Sequence, residues 1–175
     1  MPPAKRATSP SDNGLLDESA LESVRLREVL THYAKVRRPA HVVAASAVFR
    51  ADKIVTAKMA AALEGLELTP DRYEILGLLA NTPGGRLSLK DLGQAVLSHP
   101  ATTTYTVDVL EKRGLLKRRP DPKDRRGVLA QITPAGRELI KRATKMLELI
   151  DWGMGELSDE DAATVARVLS QLHPT

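Results

Sequence analysis

A mainly α-helical fold with one small β-hairpin is what this sequence predicts, on three observations. Aromatic residues are only 3% of the 175-residue chain while 42% are hydrophobic. Leu, Val, Ile and Ala must therefore build the core, a palette that leans towards helices. Apolar residues recur three and four apart along most of the chain, the spacing of one helical face. That period breaks within residues 115–133, where two short apolar runs flank a charged, proline-containing turn. The length suits one compact domain or a small domain with extra helices, and the apolar content excludes global disorder.

Residues 1–17, opening MPPAKRATSPSDNG, are rich in Pro, Ser and charge and read as a mobile tail. From Glu18 to Arg38, Leu26, Val29, Leu30 and Tyr33 share one helical face until Pro39 ends or bends the helix. A second helix is expected from Ala40 to Leu63, with Val48, Val55, Met59 and Leu63 as its stripe and Gly65 as its stop. Its first half, AHVVAASAVF, is apolar nearly all round and should be buried on more than one side, which a second subunit would supply. The segment lies too far into the chain for a signal peptide, carries His41, and is far shorter than the ~20 residues of a membrane span.

LTPDRYEILGLL (68–79) starts a helix capped by Thr69, with Pro70 in the first helical position. NTPGG (81–85) breaks the chain, and SLKDLGQAV (88–96) opens with Ser88 and Asp91 in capping-box spacing. SHPATTTYTVDVLEKRG (98–114) follows after a few residues, with Pro100 near its start and Gly114 as its stop, so the pair reads as a helix-turn-helix. LLKRRPDPKDRRGVLAQIT (115–133) is the hairpin. A long helix at 133–152 places Leu139, Met146, Leu149 and Ile150 on one face, and a last helix at 158–173 is capped by Ser158 with Asp161. Helix, helix-turn-helix, then hairpin is the order of a winged helix-turn-helix, here with additional N- and C-terminal helices that suit dimerisation. The expected division is a tail at 1–17, dimerisation helices at 18–66, the winged helix-turn-helix at 67–136 and further dimerisation helices at 137–175.

Charge points to the partner. The chain carries a net +4, yet residues 112–126 hold eight basic side chains against Asp121 and Asp124, a local +6 that leaves −2 for everything else. A basic island on a slightly acidic body fits double-stranded DNA better than a membrane. In the 98–113 helix, Thr103, Thr106, Val107 and Leu110 fall on the core side at helical spacing. Thr102 and Tyr105 then point outward and His99 stands at the exposed start. Their hydrogen-bonding groups suit base edges and phosphates near a helix N-terminus. In the hairpin tip, Arg119, Lys123, Asp124, Arg125 and Arg126 would reach the DNA backbone or minor groove. Asp124 and Arg126 lie two apart and share a face in an extended strand, so the carboxylate can hold the guanidinium in one pose for a narrow minor groove.

DVLEKRGLL, DPKDRRG and ITPAG, with LTPDRYEILGLL before them, resemble the MarR family of bacterial transcription regulators over residues 40–172. The resemblance implies a homodimer with interlocking N- and C-terminal helices and two winged lobes on successive major grooves of a palindromic operator. It also implies repression, relieved when a small aromatic or phenolic ligand binds between the dimer helices and the winged lobe. Arg126 matches the family's wing arginine and Asp124 its partner. The helix before Pro39 is an addition shared with urate-responsive members, but their tryptophan in that region is missing. The single Trp152 reads as a packing residue.

The chain has no cysteine, which excludes disulfides and thiol-based peroxide sensing. His32, His41, His99 and His173 are scattered, so no metal site and no cofactor are expected. No P-loop, dinucleotide fingerprint or H-E-x-x-H is present, and Ser98 beside His99 lacks a third orienting group, so no enzyme is expected. Arg37, Arg38 and His41 are polar residues near the implied ligand pocket, but none is assigned to it. The expected protein is a cytoplasmic, dimeric, DNA-binding repressor; the rival is an architectural protein that coats DNA without sequence preference.

Overall fold

The computed structural model describes residue 28, residues 37–122, residue 124 and residues 127–173. The expected tail at 1–17 and most of the expected helix at 18–38 lie outside these residues. Residues 1–50 and 51–175 form two units. Helix α1 runs Pro39–Leu63, and Pro39 opens it because the first turn needs no N–H from that residue. The chain then makes a short 3₁₀ turn, Glu64–Leu66, and reverses at Glu67, whose φ is 52°. The expected stop at Gly65 is thus displaced to a non-glycine residue. A tertiary contact holds it there: the Arg113 guanidinium donates to the backbone carbonyls of Leu66 and Glu67.

Helix α2, Pro70–Asn81, is capped as expected, Thr69 Oγ1 accepting the Arg72 N–H at 3.3 Å. It buries Ile75, Leu76 and Leu79. After a Pro83–Gly85 turn, strand β1 (Arg86–Ser88) leads into α3, Leu89–Ala95. Ser88 caps α3 by accepting the Asp91 N–H at 3.0 Å and donating its hydroxyl to the Asp91 carboxylate at 2.7 Å. Helix α4, Pro100–Lys112, follows. Gly114 takes φ 70°, and its N–H closes the helix end on the Glu111 carbonyl at 2.8 Å.

Strands β2 (Leu116–Pro120) and β3 (Val128–Ile132) form the expected antiparallel hairpin, with Leu116 opposite Ile132 and Pro120 opposite Val128. The sheet has a third strand that the sequence reading did not contain. β1 pairs with the other edge of β3, Leu87 opposite Ala130, giving the order β1-β3-β2. Three residues are too few to show alternation, so β1 carries no periodic signal of its own. Pro120 lies on β2, an edge strand, where a missing N–H is tolerated.

Helix α5 spans Pro134–Glu148, capped by Thr133, whose Oγ1 accepts the Gly136 N–H at 3.1 Å. The same hydroxyl donates to the Gly114 and Leu115 carbonyls, so one side chain ties the start of α5 to the root of β2. Gly136 is required there: a Cβ would fall 2.2 Å from the Leu115 carbonyl oxygen. The expected single apolar face of α5 is corrected. The buried stripe is Gly136, Ile140, Ala143 and Leu147, whereas Met146 is exposed and Leu149 is 79% exposed. The helix also stops at Glu148, earlier than expected, and a turn at Asp151–Gly153 follows. Trp152 packs as expected, its ring edge-on to Tyr73 at 5.7 Å, while the Tyr73 hydroxyl meets Thr144 Oγ1 at 3.0 Å. Helix α6, Asp159–Leu169, is capped by Ser158 and buries none of its residues.

The core gathers Leu63, Leu68 and the inner faces of α2, α4 and α5 against Leu116, Ala130 and Ile132 of the sheet. It is aliphatic throughout, as the scarcity of aromatics requires. Within the described residues the first half of α1, the segment expected to be covered by a second subunit, buries none of its side chains. Leu63 is the helix's one buried residue, and Phe49 is 70% exposed.

Candidate nucleic-acid interface

Helix α4 is built with two opposed faces. Thr103, Thr106, Val107 and Leu110 are buried, a row at spacings of three and four that fixes the helix on the core. Thr102 and His99 are exposed on the other side, and Tyr105 is 63% exposed. Neither the Thr102 nor the Tyr105 hydroxyl has a hydrogen-bond partner among the described residues. His99 also has a structural role that sequence reading missed. It is the N-cap of α4, its Nδ1 accepting the Ala101 N–H at 3.2 Å. That bond places the proton of a neutral imidazole on Nε2, which is left as an outward donor at the helix start. A histidine seldom caps a helix, so only its place before Pro100 hinted at the role. Thr104 is exposed as well, but its hydroxyl is turned back onto the Pro100 carbonyl at 2.9 Å.

The wing is anchored to α4 by an ion cluster. Arg118 pairs with Asp108, and its guanidinium meets Glu111 Oε2 at 2.6 Å. The Arg118 backbone N–H donates to Glu111 Oε1 at 2.9 Å. This backbone hydrogen bond, then the guanidinium bond, holds the Glu111 carboxyl below the usual carboxylate range. Partial burial works against the Arg118 charge, but the hydrogen bonds with Glu111 and Asp108 outweigh it and raise its pKa. Strand alternation explains the selection. Arg118 sits opposite buried Ala130 and faces α4, whereas Lys117 and Arg119 are exposed on the other face of β2.

The local charge of +6 is therefore divided. Arg113 and Arg118 are spent on internal contacts. Lys112, Lys117 and Arg119 remain exposed and without an ion pair among the described residues. Lys117 was not singled out in the sequence, although its alternation with Arg118 was a readable signal. In the tip, the Asp121 N–H donates to the Gly127 carbonyl at 3.0 Å and the Gly127 N–H to the Asp124 carbonyl at 2.9 Å. Asp124 is exposed. Lys123, Arg125 and Arg126, assigned to DNA in the sequence reading, lie outside the described residues. Among the described residues no helix is long and apolar enough to cross a membrane.

A sequence model described as MarR family matches residues 66–127, from the end of the first 3₁₀ turn through the wing tip. The transcriptional regulator MhqR of Bacillus subtilis is 32% identical over 110 residues, 60% of this chain and 72% of that protein. Two further regulators are matched over 46% and 63% of their own lengths, less than two thirds of each. Among solved structures, Sco5413, a MarR family transcriptional regulator from Streptomyces coelicolor, has 32% sequence identity and a TM-score of 0.70. That match covers 75% of this chain and 91% of Sco5413. BpsR of Bordetella bronchiseptica, whose DNA binding is regulated by 6-hydroxynicotinic acid, has 27% identity and a TM-score of 0.66 over 73% of this chain and 96% of its own. By the extent of these matches and by its winged helix, the chain belongs to the MarR family.

Proposed function

We propose that the protein is a sequence-specific regulator of transcription that binds double-stranded DNA as a homodimer on a palindromic operator. The observation that carries this reading is the outward face of α4. A helix fully packed on one side presents His99, Thr102 and Tyr105 on the other, beside a strand that turns Lys117 and Arg119 to solvent. The N-terminal half of α4 suits the major groove. The hairpin tip, with Lys123, Asp124, Arg125 and Arg126, suits the backbone and the narrow minor groove. The uncovered apolar residues of α1, α5 and α6 support pairing of the helices at 18–66 and 137–175 with those of a second copy, leaving 67–136 to read DNA. Repression released by a small ligand is the regulatory mode, supported by the control of BpsR by 6-hydroxynicotinic acid. No catalytic step is involved.

Selection of duplexes from a random pool by the purified protein tests the reading. A regulator enriches one inverted repeat and binds it roughly 10³-fold or more above random duplex. An architectural coating protein binds both alike, and that result would end the proposal. Arg126→Ala should cost about 1–3 kcal/mol of operator affinity and shallow its salt dependence. Unchanged affinity and salt slope would remove Arg126 from the interface.

A further inference from the structure

We infer that Leu97, in the turn between α3 and α4, is an apolar contact to duplex DNA, packing on a thymine methyl group or a deoxyribose. This rests on the DNA reading of α4 above. Two independent features leave the choice of leucine at position 97 unexplained by the fold. Its φ is 49°, in the left-handed region that disfavours any side chain with a Cβ. The turn imposes that conformation. The N–H groups of Val96, Leu97 and Ser98 bond back to the carbonyls of Leu92, Gln94 and Gly93 at 3.0, 3.3 and 2.9 Å. Glycine or asparagine would sit there with less strain. The second feature is that the side chain is 74% exposed, so its burial stabilises little.

Dimerisation does not account for Leu97. The strongly exposed aliphatic and phenylalanine side chains other than Leu97, namely Phe49, Leu149 and Leu172, lie in the segments proposed to pair with a second copy, 18–66 and 137–175. Leu97 belongs to the helix-turn-helix, two residues before the His99 cap, and consecutive Cα atoms are only about 3.8 Å apart. It thus lies within a short reach of the end of α4 that approaches the groove. Residues that break local rules without a packing return mark functional positions. An aliphatic side chain at this edge matches the apolar groups that DNA offers among its phosphates.

The test uses the full chain and the duplex selected as above. Leu97→Gly and Leu97→Asn should melt at the same temperature as the parent or a few degrees above it. Both should bind the duplex roughly tenfold more weakly, and Leu97→Met should keep its affinity. Replacing dT by dU in the duplex removes the thymine methyls and separates the two DNA groups. If the parent weakens and Leu97→Gly weakens no further, the contact is a methyl; if the replacement shifts both proteins equally, the contact is deoxyribose. Either result supports the inference. Parent-like binding by Leu97→Gly overturns it and would leave the exposed side chain for a contact other than DNA; a joint loss of melting temperature and affinity also overturns it and would make Leu97 a structural residue. Failure of the parent itself to prefer any duplex would overturn the underlying reading instead.

Discussion

Most large aliphatic residues in the winged-helix part of the molecule face inward, Leu97 being the main exception. Leu76, Leu79, Leu92, Val107 and Leu110 are fully enclosed, and the strands add Leu116 and Ala130. In α1, in α6 and just beyond the ends of α5 and α6 the same residue types face water: Phe49, Leu149, Val168 and Leu172 are all exposed. Composition does not separate the two regions, since both are rich in Leu, Val and Ala. What differs is where the partner for each apolar face lies. The winged helix finds its partners in one core shared with the buried stripe of α5. Among the described residues the flanking helices leave these side chains exposed, the surface that the proposed dimer would bury.

The contrast is sharpest under substitution. Leu110→Ala removes a fully enclosed side chain of the winged helix and should cost about 2–5 kcal/mol of folding stability. The loss, read by denaturant midpoint, should not depend on protein concentration. Phe49→Asp, on the uncovered part of α1, should leave the winged helix folded by circular dichroism. It should weaken self-association by roughly 10–100-fold in sedimentation equilibrium, about 1.4–2.8 kcal/mol. A parent that sediments as a monomer at micromolar concentration would abolish the comparison, because the exposed helices would then need another explanation.

How much of this was legible beforehand follows the same division. The caps Thr69, Ser88 and Ser158 were readable because their hydrogen bonds are local, to an N–H three residues on. The inward and outward faces of α4 were readable because helical spacing alone separates Thr103, Thr106, Val107 and Leu110 from Thr102 and Tyr105. What escaped was set by contacts distant in sequence. The chain reversal moved from Gly65 to Glu67 because Arg113, 46 residues away from Glu67, holds it there. Strand β1 exists because β3 offers it an edge. On α5 two apolar stripes compete, and choosing between Leu147 and Leu149 requires knowing which side meets α2. The charge count overstated the cation surface for the same reason, since Arg113 and Arg118 are taken up by internal partners.

The Arg118 cluster gives the smallest and most specific expectation, because it joins the reading helix to the wing. Glu111 is half exposed, so its pair with Arg118 is screened, and Glu111→Gln should lower stability by about 1 kcal/mol or less at neutral pH. The sign of its pH dependence is fixed by the depressed carboxyl. A folded-state pKa below the unfolded value, near 4.3, stabilises above that value, and the contribution disappears as pH falls through the folded pKa. The melting-temperature gap between parent and Glu111→Gln should accordingly be full at pH 7 and shrink below about pH 4. There, protonated Glu111 resembles the amide. A gap that persists undiminished at pH 3 would show that the carboxylate charge is not what holds β2 against α4.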